Sequence, residues 1–233
     1  MTSIAVLNPQ QVGFPDPAAA LDSPNGLLAA GGDLTANWLM TAYSQGIFPW
    51  YNDDDEPILW WSPDPRAVIR PTDMRVTRSL TKRIRNGDFT VSADTVFDQV
   101  VKGCSQSRQA SGTWITPRMC QAYTDLHHLG YAHSIEVWHK EQLVGGLYGV
   151  SLGRMFFGES MFTVARDASK VAFYWLCELL KSWKFDLLDC QVMNDHLLSL
   201  GVGEMPRSLF LQIVSANRVH PHRLGPWSME QCS

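Results

Sequence analysis

Between Ala132 and Val192 the chain carries three strand patterns, one long helix pattern and a fourth strand, in that order. Ala132–Trp138, Leu143–Ser151 and Arg154–Phe162 are separated only by short turns, at His139-Lys140-Glu141 and Leu152-Gly153. Turns that short leave no room for a crossover, so the three strands form an antiparallel meander. Asp167–Trp183 then repeats Val171, Tyr174, Trp175, Leu179 and Trp183 at helical spacing, and its apolar stripe is expected to lie across the meander. Phe185–Val192 has the look of a buried strand, and a strand that returns beside its predecessor after a crossover helix runs parallel to it.

The remainder is punctuated by proline and glycine. Residues 1–66 contain one strong helix pattern, Leu34–Gln45, with Asp33 or Thr35 available as cap, Trp38, Leu39, Ala42 and Tyr43 on one face, and Gly46 as its end. Asp53-Asp54-Asp55-Glu56 is an exposed turn. Further helices are expected over 77–86, 95–104, 117–129, 194–200 and 206–218, the third with Pro117 in its first turn. At 233 residues and 45% hydrophobic content the chain buries a full core. It divides into a Trp/Pro-rich N-terminal domain, 1–66, and a larger domain, 67–233, an α+β organisation.

Gly46 to Tyr51 and Ile58 to Arg66 concentrate tryptophan and proline. Pro49, Pro57, Pro63 and Pro65 fix φ and remove backbone donors, so the aromatic rings are held in set directions. Such walls suit a planar ligand, or they fill a core corner. Next comes a basic island, Arg66, Arg70, Arg75, Arg78, Lys82, Arg83 and Arg85, in a chain with 19 Lys+Arg against 23 Asp+Glu. Arg78, Lys82 and Arg85 share one face of the expected helix. With formal net charge -4, only such a local patch can hold a polyanion. A solvated helix face is the alternative, but aromatic platforms beside cations are the ingredients of single-stranded nucleic-acid capture.

Two polar groups interrupt apolar strands: Gly158-Glu159-Ser160 and Asp189-Cys190-Gln191. A buried carboxylate must be paired or hydrogen-bonded, and such groups often serve chemistry. Alternation puts Asp189 and Gln191 on one face of their strand. Alternatively, Asp189 caps a turn and Glu159 pairs with a cation such as Arg166. The five cysteines form no CxxC pair and the seven histidines lack ligand spacing, so reduced thiols and no metal site are expected. No run of roughly 20 apolar residues is present, and the first residues lack a signal-peptide pattern, which makes a cytoplasmic location the expectation.

The βββαβ order matches acyltransferases of the N-acetyltransferase (GNAT) type, by fold analogy. More specifically, the chain resembles the leucyl/phenylalanyl-tRNA–protein transferase family. The resemblance is carried by Pro24 to Ala29, Gly31 to Leu34, Gly46 to Trp50, Ile58 to Val68, Gly112 to Thr116, His133 to Trp138, Val144 to Gly146, Gly158 to Phe162 and Asp189 to Gln191. It implies an acetyltransferase-like C-terminal domain with a smaller N-terminal domain and no cofactor. The reaction it implies is transfer of Leu, Phe or Met from aminoacyl-tRNA to proteins with an N-terminal Arg or Lys, which marks them for N-end rule degradation. Trp50 and Trp114 match family aromatics that hold the 3′-terminal adenosine and the pocket mouth. Leu147, Phe156, Leu176, Leu180 and Leu188 are implied to line the amino-acid pocket and Ser160 to contact substrate. Arg75, Arg78, Lys82 and Arg83 are implied to hold the acceptor stem. Asp189 acting on Gln191 is the implied catalytic pair, with Glu159 orienting the nucleophile or attracting a basic residue.

Rival readings are weaker. A coenzyme A enzyme needs a glycine-rich loop before the long helix, and Phe162 to Ser169 has no glycine. A peptidoglycan-type aminoacyl transferase is expected to duplicate the βββαβ unit, which occurs once here. A non-enzymatic tRNA-binding module leaves the strand carboxylates without purpose.

Overall fold

The structure, a computed structural model, describes residues 4–107 and 115–232. Among these, the strands fall into two sheets. The smaller holds β1 (Ala5–Leu7), β2 (Leu27–Gly31), β3 (Phe48–Pro49) and β4 (Leu59–Trp61) in the order β1-β2-β4-β3. Helix α1 (Ala36–Tyr43) leads into β3, and Trp38, Leu39, Ala42 and Tyr43 form its buried face as expected. Gly46 ends that region at φ +76°, and a Cβ there would meet Phe210 at 2.9 Å, so backbone and packing both require glycine.

The larger sheet contains β5 (Arg66–Ile69), β6 (Thr90–Ala93), β7 (Ala132–His139), β8 (Gln142–Leu152), β9 (Met155–Thr163), β10 (Leu187–Gln191) and β11 (Gly203–Met205). Their order is β11-β5-β10-β9-β8-β7-β6. The meander β7-β8-β9 is antiparallel and β10 joins β9 in parallel, as the sequence order requires. The helices are α2 (Arg78–Arg85), α3 (Phe97–Ser107), α4 (Pro117–His128), α5 (Ala168–Ser182), α6 (Asp195–Ser199) and α7 (Arg207–Asn217). Each lies within a few residues of its expected position.

Side chains leave the sheet alternately, so each strand supplies two cores. On one side Ile135, Leu147 and Phe156 pack under Val171, Ala172 and Leu176 of α5. On the other, Tyr148, Val150 and Phe157 pack with α3, α4 and the whole small sheet in one continuous apolar cluster. The start of α5 presses close enough to β8 that a Cβ on Gly145 would come within 2.5 Å of the Ala168 Cβ. Part of the tryptophan-rich segment is core: Trp38 and Trp60 stack at 6.0 Å, with Phe14 edge-on to each. Among the described residues, the seven strands outside the meander and β10, all five residues or shorter, have no counterpart among the sequence expectations.

Candidate active site

Strand β10 pairs with β9 only over Leu187–Asp189. Beyond that point the two strands part, β9 continuing beside β8 while β10 bulges between Asp189 and Gln191. A cleft of about 580 Å³ opens in the gap. Leu147, Phe156, Leu176 and Leu188 line its apolar part, joined by Phe173 and Met161. Trp50 stands at the cleft with 41% of its surface exposed, placed there by the β3–β4 hairpin. Its carbonyl accepts a hydrogen bond from Trp61 Nε1 at 2.7 Å.

Leu180 is a correction. It is fully buried in the core under α5 and does not reach the cleft; Phe173, further up the same helix, takes the wall position instead. Helical spacing does not separate the two, since Phe173 and Leu180 are alike neighbours of Leu176 along α5. Trp114 lies outside the described residues.

Gln191 sits at the parting of the strands in a left-handed conformation, φ +65°, which a non-glycine residue holds only when its surroundings enforce it. Two bonds do so. Its backbone N–H donates to Asp189 Oδ1 at 2.9 Å, and its side-chain Nε2 donates to Glu159 Oε1 at 2.7 Å. Asp189 is fully buried behind it and is absent from the cleft wall. Its carboxylate accepts two bonds from Arg66, from Nε at 2.8 Å and Nη2 at 2.6 Å. Arg66 is also fully buried, with its guanidinium between the Phe48 and Phe210 rings at 4.7 and 4.5 Å and Nη1 donating to the Gly46 carbonyl at 3.3 Å. Arg66 therefore leaves the basic island and becomes the internal counter-charge of Asp189. Asp189 does cap the turn that follows it, from a buried position, and it contacts Gln191 through the backbone rather than the carboxamide.

Glu159, only 7% exposed, accepts three hydrogen bonds. Tyr43 Oη and Gln191 Nε2 donate to Oε1, and Tyr123 Oη donates to Oε2, each at 2.7 Å. Burial pushes its carboxyl up to about 7, against the lowering effect of the tyrosine and glutamine donors. Among the described residues no arginine pairs with it; Arg166 is largely exposed and lies 3.7 Å from Asp167. Ser160 lines the cleft with its Oγ buried and unpartnered, and so does His196, whose Nε2 is buried without a partner. Burial, with the charge of Lys170, holds the His196 ring below its ordinary value. His196 escaped the sequence reading because a lone histidine on a short helix carries no spacing signal.

The remaining cations stay outside. Arg75, Arg78, Lys82 and Arg85 are exposed, while Leu80 anchors α2 to the core. Arg83 is half-buried, paired with Asp88 at 3.0 Å. The Arg75 N–H donates to the Leu200 carbonyl at 2.8 Å, just after α6, so the basic segment is fastened to the element that carries His196 and Leu197 into the cleft. Among the described residues no helix is long and apolar enough to cross a membrane.

Comparison with known proteins places this geometry in context. A family model described as leucyl/phenylalanyl-tRNA protein transferase matches residues 68–215, and a model of that family's N-terminal domain matches residues 32–64. A protein of Cellvibrio japonicus named leucyl/phenylalanyl-tRNA–protein transferase is 53% identical over 209 residues, covering 89% of this chain and 88% of that one. Proteins of the same name from Stutzerimonas stutzeri and Nitrosospira multiformis are 50% identical over 216 residues and 54% over 200. They cover 92% and 85% of this chain, and 95% and 86% of their own lengths. Among solved structures, L-PGS from Bacillus licheniformis aligns with a TM-score of 0.40 at 9% identity, over 72% of this chain and 54% of that one. The protein is an aminoacyltransferase, with a cleft that has an apolar wall and a polar end at Glu159 and Gln191. It belongs to the leucyl/phenylalanyl-tRNA–protein transferase family, whose enzymes move an amino acid from tRNA to protein.

Proposed function

We propose that this enzyme transfers Leu or Phe, and also Met, from aminoacyl-tRNA to the α-amine of proteins that begin with Arg or Lys. The product is marked for N-end rule degradation in the cytoplasm, and no metal or cofactor takes part. The observation that carries this reading is the cleft itself: a solvent-facing Trp50, an apolar wall of Leu147, Phe156, Leu176 and Leu188, and a hydrogen-bonding end at Glu159 and Gln191. The 3′-terminal adenosine stacks on Trp50, and the aminoacyl side chain enters between the leucines. A side chain unbranched at Cβ fits such a slot and a β-branched one crowds its mouth. Discrimination per methylene is only about 1–3 kcal/mol, so Leu, Phe and Met are not sharply separated. Phosphates of the acceptor stem lie against Arg75, Arg78, Lys82 and Arg83, contacts that position without reading sequence.

Holding the acceptor amine roughly 3 Å from the ester carbonyl supplies much of the rate, because it makes the attack intramolecular. Gln191 Nε2 carries a second hydrogen besides the one given to Glu159, and that hydrogen is suited to the developing oxyanion. The ion pair of Arg66 with Asp189 holds Gln191 in its left-handed turn. Asp189 is thus a positioning residue.

The test is transfer of radiolabelled leucine from leucyl-tRNA to two peptides that differ only in starting with Arg or Glu, with valyl-tRNA as control. Label on the Arg peptide from leucyl-tRNA alone supports donor, pocket and acceptor together. Label on the Glu peptide overturns the acceptor assignment, and label from valyl-tRNA overturns the pocket.

A further inference from the structure

Three oxygen-bearing groups form a closed triangle beneath the cleft. Tyr43 Oη lies 2.6 Å from Tyr123 Oη, Tyr43 Oη lies 2.7 Å from Glu159 Oε1, and Tyr123 Oη lies 2.7 Å from Glu159 Oε2. All three distances are those of O–H···O hydrogen bonds. Each such bond needs one hydrogen, yet two phenols bring only two. When Glu159 is ionised both phenols must donate to it, and the 2.6 Å contact between the two phenolic oxygens then holds lone pair against lone pair. Burial beside Glu159 pushes both phenols well above their ordinary value, so neither surrenders its hydrogen. A third hydrogen on Glu159 completes the triangle: Glu159 donates to Tyr123, Tyr123 to Tyr43, and Tyr43 back to the other carboxyl oxygen. Gln191 Nε2 still donates to Oε1 in this arrangement.

We propose that Tyr43 and Tyr123 are positioning residues that orient an exchangeable third proton on Glu159 and donate to its carboxylate once that proton leaves, and that ionised Glu159 accepts the proton shed by the acceptor nitrogen during transfer. The amine nitrogen attacks the ester carbonyl carbon, forming the C–N bond. Its proton passes to the Glu159 carboxylate. As the C–O bond to the ribose breaks, Glu159 returns that proton to the departing ribose oxygen and regains its starting charge. The groups that bias the equilibrium face Glu159 from three elements, Tyr43 on α1, Tyr123 on α4, and Asp189 and Gln191 on β10, while Tyr148 on β8 lies beside the two phenols. The Asp189 charge favours the protonated form, partly offset by Arg66 behind it. An arriving cationic acceptor favours the ionised form, so acceptor binding itself releases the proton. The inference rests on aminoacyl transfer as the reaction and is indifferent to which amino acid is moved.

Infrared spectroscopy of the free enzyme reads the proton without turnover. A protonated-carboxyl band is expected at pH 5.5, absent in Glu159→Gln and lost from the wild type between about pH 6 and 8. In kinetics, the acidic limb of kcat/KM for the peptide acceptor moves up by about one pH unit in Tyr43→Phe and in Tyr123→Phe, since each loses a donor to the carboxylate. Activity at pH 6.5 then falls about tenfold, recovers at pH 9, and leucyl-tRNA affinity is unchanged. Either tyrosine variant suffices if the other does not fold. A wild-type band that persists in Glu159→Gln overturns the shared proton, and a loss of rate that is uniform across pH overturns the role of the tyrosines.

Discussion

At the scale of single residues, the site depends on groups held in conformations they would not choose alone. Gln191 keeps a left-handed backbone because Asp189 and Glu159 bind it at both ends. Replacing it with alanine is expected to lower kcat by about 3–4 kcal/mol in activation free energy while leucyl-tRNA still binds, the size seen for loss of an oxyanion donor; unchanged turnover removes Gln191 from the chemistry. Arg66→Met strands the Asp189 charge in the core and is expected to cost about 3–5 kcal/mol in urea unfolding at neutral pH. Glu159 carries a pH signature of its own. Its carboxyl is near its ordinary value when unfolded and raised to about 7 when folded, so the folded state holds the extra proton. Its contribution is complete below about pH 4.5 and is lost as the pH rises through 7, a change on the order of 3 kcal/mol. Glu159→Gln is expected to flatten that part of the stability profile, which unfolding at pH 5 and pH 8 measures directly.

At the scale of elements, α5 and α2 each divide into a working face and an anchoring one. On α5, Leu176→Ala enlarges the cleft and is expected to change the ratio of phenylalanyl to leucyl transfer, whereas Leu180→Ala, behind it, is expected to cost about 2–5 kcal/mol of stability with that ratio intact. Sequence periodicity places both residues on the inner side of the helix but does not separate core from cleft. That distinction depends on where β10 leaves β9, which no local pattern encodes. On α2, Arg78→Ala or Lys82→Ala is expected to reduce the salt slope of tRNA binding by about 1 each, with a smaller effect for Arg83, already paired with Asp88. The meander and its crossover helix were legible because long strands show their alternation and short turns show their breaks. The short strands were not: two to five residues, such as β3 or β11, are strands only because a partner supplies the other half of the ladder. Arg66 misled for a related reason, since a cation inside β5 resembles the surface cations that follow until its counter-ion, 123 positions later, is brought beside it.

For the whole molecule, β4 lies in one sheet and β5, which begins at Arg66 itself, in the other. The proposed domains 1–66 and 67–233 nonetheless share an apolar cluster running from Ala20 to Val214. Tryptophan fluorescence and far-ultraviolet dichroism are therefore expected to report a single coincident urea transition; two separated transitions contradict a common core. The tie through Arg66 also affects how variants are to be interpreted. Its guanidinium joins Asp189, under the polar end of the cleft, to the Gly46 carbonyl and the Phe48 ring, two residues before Trp50 at the mouth. A substitution at Asp189 is thus two lesions at once: it frees Gln191 and unmoors the segment that carries Trp50. Lost turnover in such a variant identifies no proton acceptor, and only a paired measurement of tRNA affinity separates damaged chemistry from a displaced substrate.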